Sequence, residues 1–389
     1  MGDRVKQILA KYRDRELAQL LVRRIGELAE GLPRIRIMHV CGTHEWTITH
    51  WGIRWLLPEN IEVRAGPGCP VCVTPSSDID DAVRLALEGI RILTYGDMSR
   101  AKGSRRLSLE DSRALGGRVE VVYSFSDAVQ AASRNPSEEY VFLGAGFETT
   151  APLTAYEAFR GRIPSNLSII SSYRYVPPAV GLLAEADDLE IDAFINPGHA
   201  STISGMKAYA EYFERCRKPM VFAGFEPIDV LLAIYLILKQ VRDGRPRMEN
   251  EYRRSVTWEG NLRAQRFLGE VFNLEESYWR GVAMVPEGGM AFKERFREID
   301  ARERYGLGRG GGDSFPAEAR CADVIKGKID PPECPLYMRE CKPSTPIGPN
   351  MVGVEGTCRI WAQHRVTGLR CRGGVCVFSG EPKIPRRSV

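Results

Sequence analysis

Residues 140–150 read Y-V-F-L-G-A-G-F-E-T-T. Positions 140–143 are all apolar, so both faces of the strand they predict must be covered, as in a parallel sheet flanked by helices. The glycines that follow make a turn, and Glu148, Thr149 and Thr150 read as the polar first turn of a helix. Strand, Gly-rich turn and helix start make one step of an α/β chain. The same step recurs outward from it, with short β-prone runs at 34–40, 61–65, 90–95, 119–123, 167–171, 193–195 and 219–223 and helices expected at 76–88 and 126–133. The turn itself is no dinucleotide fingerprint, because the G-x-G-x-x-G spacing fails at Thr149.

The other turns after these strands are C-G-T-H-E (41–45), G-P-G-C-P-V-C (66–72), Y-G-D-M (95–98), N-P-G-H-A-S (196–201) and G-F-E-P (224–227). In open parallel sheets ligands lie outside the carboxyl ends of the strands, so these turns are expected to line one or two clefts. The alternation predicts an α/β protein with two tandem parallel-sheet domains, 35–140 and 141–245, helices covering both faces of each. The first carries Cys41 and the C-x-x-C loop. Apolar spacing over 4–30 suits an amphipathic helix ahead of them. Beyond about residue 246 the pattern is less regular, with helical stretches expected near 261–271 and 290–297, a Gly-rich joint at 306–312 and a Cys- and Pro-rich segment at 321–358.

Composition excludes some roles. The 389 residues carry 54 Lys and Arg against 50 Asp and Glu, a net charge of +4, which is no field for nucleic acid. The longest apolar run, 230–238, falls short of the roughly 17–25 residues that a membrane helix needs. The first residues, M-G-D-R-V-K, lack the apolar core of a signal peptide, so the chain reads as soluble and cytoplasmic. Ten cysteines in that compartment suggest metal ligands or redox thiols before disulfide staples.

Cys321, Cys334, Cys341 and Cys358 follow C-x12-C-x6-C-x16-C in a polar segment. Four thiolates suit a [4Fe–4S] cluster or a tetrahedral zinc ion; the wide gaps favour the cluster and leave zinc open. Cys69 and Cys72 sit in a stiff Pro-rich turn, as a dithiol–disulfide couple or, with Cys41 and His44, as a Cys3His zinc site. If Gly42 starts a helix, Cys41 lies at its positive end, where a thiolate is stabilised. The plainer reading makes Cys41 a small buried residue and Thr43 a helix cap. His199 reads equally as a satisfied loop histidine, and Glu226 before Pro227 as a helix start.

Taken together these motifs resemble the HypD family of hydrogenase maturation proteins. The likeness runs through C-G-T-H-E, G-P-G-C-P-V-C, Y-G-D-M, G-F-E-T-T (146–150), P-G-H-A-S-T (197–202), G-F-E-P, W-R-G (279–281) and E-G-T-C (355–358), covering about residues 5–362. It implies a scaffold on which an iron centre gains two cyanides and one carbon monoxide before delivery to a [NiFe]-hydrogenase. The implied partners are a HypC-type chaperone and a HypE-type cyanide donor, with the chain a monomer within that hetero-complex. By position, Cys41 is the implied iron ligand with His44 close by, Cys69 and Cys72 the redox pair, and Cys321, Cys334, Cys341 and Cys358 the [4Fe–4S] ligands. Thr43, Glu148, Thr149, His199, Glu226 and Glu355 are expected around the cleft. The cluster domain is expected at 246–364, with the N-terminal helix, 1–34, packed on it.

The chain departs from the family pattern in three places. Asn350 stands where a further cysteine is expected, and Tyr173 stands where a histidine is common. Residues 365–389, with Cys371 and Cys376, extend past the usual end. Two other classes remain alternatives: a cluster-dependent protein disulfide reductase and a zinc-stabilised binding module.

Overall fold

The computed structural model describes residues 10–308, 310–312 and 315–364, and the backbone of 369–372 and 375–378. Its strands begin with β1 (Ile35–His39), β2 (Ile61–Ala65), β3 (Arg91–Thr94), β4 (Val119–Val121), β5 (Tyr140–Gly146) and β6 (Leu167–Tyr173). They continue with β7 (Ala193–Pro197), β8 (Met220–Ala223), β9 (Met248–Asn250), β10 (Phe272–Trp279) and β11 (Ala283–Phe292). One sheet has the order β2-β1-β7-β8-β9 and a second the order β4-β3-β5-β6. All neighbours within both sheets are parallel.

Covering both faces of each sheet explains the apolar runs, since β5, β7 and β8 are buried at every position. In the first sheet Ile35, Ile37, Val63, Ile195 and Val221 face helices Arg15–Ala29 and Pro227–Asp243. Met38, Phe194, Met220 and Phe222 point the other way, onto helix Val176–Glu185. In the second sheet Ile92, Val141 and Leu143 meet helix Ser76–Leu87. Leu93, Phe142 and Ile169 meet helices Phe125–Arg134 and Ala151–Phe159. Among the described residues no helix is long and apolar enough to cross a membrane.

The strands partition differently from the tandem division at 140/141. β7 and β8 complete the first sheet, and β3 and β4 pair with β5 and β6, so the chain leaves the first sheet after β2, builds the second, and returns. A parallel neighbour needs only a crossover, and apolar strand runs do not say which sheet each will join. Among the described residues the N-terminal helix packs on helix Pro227–Asp243 of the first sheet through Leu21, Ile25 and Ala29, in a core cluster that holds no residue of the Cys-rich segment. The helix expected near 261–271 forms as Leu262–Val271. The one expected near 290–297 does not: its first residues close the antiparallel hairpin β10–β11, and a 3-10 turn follows at Glu294–Ile299. Phe272, Met290 and Phe292 of that hairpin join the core of the second sheet, and the pocket of the four cysteines is lined by residues between Ala319 and Cys358. Strands Leu369–Arg372 and Val375–Phe378 pair with Cys371 opposite Cys376.

Candidate functional site

The first sheet reverses its direction of growth between β1 and β7, and the crevice of such a sheet opens at the carboxyl ends there. Cys41 lies one residue beyond the end of β1 and forms the N-cap of helix Gly42–His50. The turn after β2 folds over it. Gly68 lies so close to the Cys41 backbone that a Cβ would not fit, Gly42 lies equally close to Glu355, and the Gly42 N–H donates to the Gly68 carbonyl at 3.2 Å. These glycines let three chain segments meet around one sulfur.

The result is a small cavity lined by Cys41, Cys69, Cys72, Glu355, His39 and Glu45, among others. Cys69 and Cys72 are joined as a disulfide with their Cα atoms 5.2 Å apart. Burial pushes the Cys41 thiol up to about 12; Glu355 pushes the same way, and the N–H groups of His44 and Thr43 oppose them. The helix start is therefore where the sequence puts it, but desolvation outweighs its pull on the thiol. Thr43 Oγ1 donates to Glu355 Oε1 at 3.5 Å at the edge of the site.

His39 and Glu45 were not singled out by sequence reasoning. His39 Nε2 donates to Glu45 Oε2 at 2.9 Å, Arg54 makes a two-pronged ion pair with the same carboxylate at 2.9 and 2.7 Å, and Trp361 Nε1 donates to it at 2.7 Å. Burial alone would raise the Glu45 carboxyl, but Arg54 and His39 hold it below the usual range. The signal available was Glu45 inside C-G-T-H-E; its partners lie in other segments.

Cys321, Cys334, Cys341 and Cys358 line a second pocket, walled by Leu336, Ile347 and Met351. Cys321 opens helix Cys321–Ile325, Cys334 follows the 3-10 turn Pro331–Glu333, and Cys358 lies in helix Thr357–Gln363. The Ile347 N–H points at Cys341 Sγ, 3.4 Å away. Burial pushes the Cys358 thiol well above its ordinary value, and Cys321, Cys341 and Cys334 add to that. A Cβ on Gly348 would run into Cys321 Sγ.

The remaining expected residues fall elsewhere. His44 is buried but does not line the Cys41 cavity; its Nε2 donates to the Gly224 carbonyl at 2.9 Å, and burial lowers its pKa to about 3. Its ring stacks on Phe225, and Phe225 stacks on exposed His199 with centroids 3.8 Å apart. Glu226 forms an ion pair with Arg13 and caps helix Pro227–Asp243. Glu148 is buried at the start of helix Val176–Glu185, accepting the Val176 N–H at 3.0 Å, while Thr149 is exposed. Tyr173 is buried, with its hydroxyl 2.6 Å from that of Thr154.

Residues 16–365 match a family model described as HypD, Hydrogenase formation hypA family. A protein of Methanocaldococcus jannaschii named for hydrogenase expression and formation is 44% identical over 354 residues, covering 90% of this chain and 98% of that one. Hydrogenase maturation factor HypD of Rhizobium leguminosarum bv. viciae is 39% identical over 366 residues, 91% of this chain and 95% of the relative. The Cupriavidus necator protein of the same name is 38% identical over 361 residues, with 90% and 95% covered. With the family motifs gathered at strand ends and likeness running along nine-tenths of its length, the chain belongs to the HypD family of hydrogenase maturation factors.

Proposed function

We propose that the chain is an assembly scaffold on which iron receives its cyanide and carbon monoxide ligands before transfer to a [NiFe]-hydrogenase. Iron is the cargo and Cys41 its thiolate ligand. Cys69 and Cys72 exchange electrons beside it, and Cys321, Cys334, Cys341 and Cys358 hold a [4Fe–4S] cluster. The carrying observation is the cavity that Cys41 shares with the disulfide, next to a pocket lined by the four cysteines.

The donor set favours a cluster over zinc. Cys321, Cys334, Cys341 and Cys358 line a space with apolar walls, and their wide sequence gaps lack the tight C-x2-4-C knuckles of structural zinc sites. Glycine at 348 keeps the space beside Cys321 Sγ free of a Cβ. A cluster bound there supplies electrons one at a time. The chain's own part is to keep Cys41 dry beside the disulfide and to hold the E-G-T-C turn over both.

Catalysis on another protein's disulfide is the weaker reading, because Cys69 and Cys72 are only 5% and 2% exposed, little surface for an incoming protein thiolate. The reaction instead suits small ligands delivered within a complex with HypC-type and HypE-type partners in the cytoplasm. Infrared spectra of the complex purified anaerobically test this. Metal-bound cyanide and carbonyl bands are expected, with about four irons per chain in the cluster. Absence of those bands together with turnover of a protein disulfide would overturn it.

A further inference from the structure

The cavity holding the disulfide and the pocket holding the four cysteines have one lining residue in common, Asn350. It is 3% exposed and lies in the short helix Pro349–Val352. Its Nδ2 donates to the carbonyl oxygen of Cys321 at 3.3 Å. One peptide unit earlier, the carbonyl oxygen of Pro349 lies 3.6 Å from Cys72 Sγ. Only two non-bonded gaps, 3.6 and 3.3 Å, therefore separate a disulfide sulfur from the Cys321 backbone, and covalent bonds make up the rest of that route.

The surroundings hold this wall in place. Gly356 abuts the Asn350 carbonyl with no room for a Cβ, and a Cβ on Gly353 would lie 3.1 Å from Cys69 Sγ. A leucine at 350 would fill similar space but leave the Cys321 carbonyl without this donor. The cysteine expected here from the family pattern would bring a further sulfur to the pocket and only a weak donor.

We propose that Asn350 is a positioning residue for electron transfer from the four-cysteine pocket to the Cys69–Cys72 disulfide, tying the Cys321 backbone to the turn over Cys72. This rests on the relay reading above. In the step it serves, the S–S bond breaks and two thiols form, taking up two electrons and two protons. The electrons enter singly through the pocket from an external low-potential reductant such as dithionite, and the protons come from water.

The full chain, reconstituted anaerobically with iron and sulfide, is compared with N350L, and the iron-free chain serves as the blank. After dithionite addition, bleaching of the absorbance near 400 nm follows reduction at the pocket. Alkylation and mass spectrometry count the thiols released from Cys69 and Cys72. N350L is expected to bleach at the wild-type rate while thiol release slows by roughly tenfold or more. Equal thiol release in the two proteins overturns the assignment, and so does an equal slowing of bleaching and release, which marks a general lesion. If N350L binds no iron, N350S gives the same ratio with a smaller side chain and decides by the same criteria. A wild-type protein that bleaches but releases no thiols overturns the relay reading itself.

Discussion

Burial outweighs the nearest partners at Cys41 and Glu148, whereas at Glu45 the partners win. At Cys41 the first-turn N–H groups pull the thiol toward ionisation, yet desolvation and Glu355 leave it at about 12. Glu148 shows the same balance in a carboxyl group. It accepts the backbone N–H groups of its own residue and of Val176, but burial pushes it from 4.5 to about 7. The folded chain therefore holds this proton more tightly than the unfolded chain does. Its contribution is fully present below pH 4.5, shrinks as pH rises, and is gone above about 7. The difference is on the order of 3 kcal/mol. Glu148→Gln cannot ionise, so its stability in urea should gain on wild type between pH 5 and pH 7 and level off by pH 8. A wild-type-to-variant difference that stays constant over that window would show that Glu148 ionises freely in the fold.

Among elements, Glu45 ties strand β1 and helix Gly42–His50 to Arg54 and to the helix that carries Cys358. Its removal in Glu45→Ala strands the buried Arg54 charge and should cost about 3–5 kcal/mol in urea unfolding, with Glu45→Gln costing less. An alanine variant within about 0.5 kcal/mol of wild type would mean that the network carries no load. This network also marks the limit of what the sequence discloses. The strands were legible because two covered faces demand apolar residues at successive positions, and the cysteines because thiols are rare and spaced. Trp361 and Glu45 are 316 residues apart, and no local pattern announces their contact. The hairpin was hidden for a related reason: Met290, Ala291 and Phe292 suit a buried helix as well as a buried strand, and the pairing to Phe272–Asn273–Leu274 decides between them.

At the scale of the molecule, the second sheet interrupts the first, and each keeps its own core. The tandem reading missed this because chain adjacency was its only guide to which strands pair. β1 in fact pairs with β7 through Ile37–Ala193 and Met38–Phe194, across the whole of the second sheet's sequence. Hairpin β10–β11 packs one end on the second sheet through Phe272, Met290 and Phe292, while Trp279 and Val285 at its other end join the first sheet's core. Phe272 packs on Phe292 with ring centroids 4.8 Å apart and on Tyr173 at 6.0 Å, and Ser171 Oγ donates to the Met290 carbonyl beside β6. The core that Phe272 joins contains Phe142, Ile169 and Tyr173 and no residue of β1, β7 or β8. Phe272→Ala should therefore cost about 3–5 kcal/mol and act locally. Hydrogen exchange is expected to quicken at amides of β5 and β6 while β1 and β7 keep their wild-type protection. Equal acceleration in both sheets would mean that they unfold as one cooperative unit.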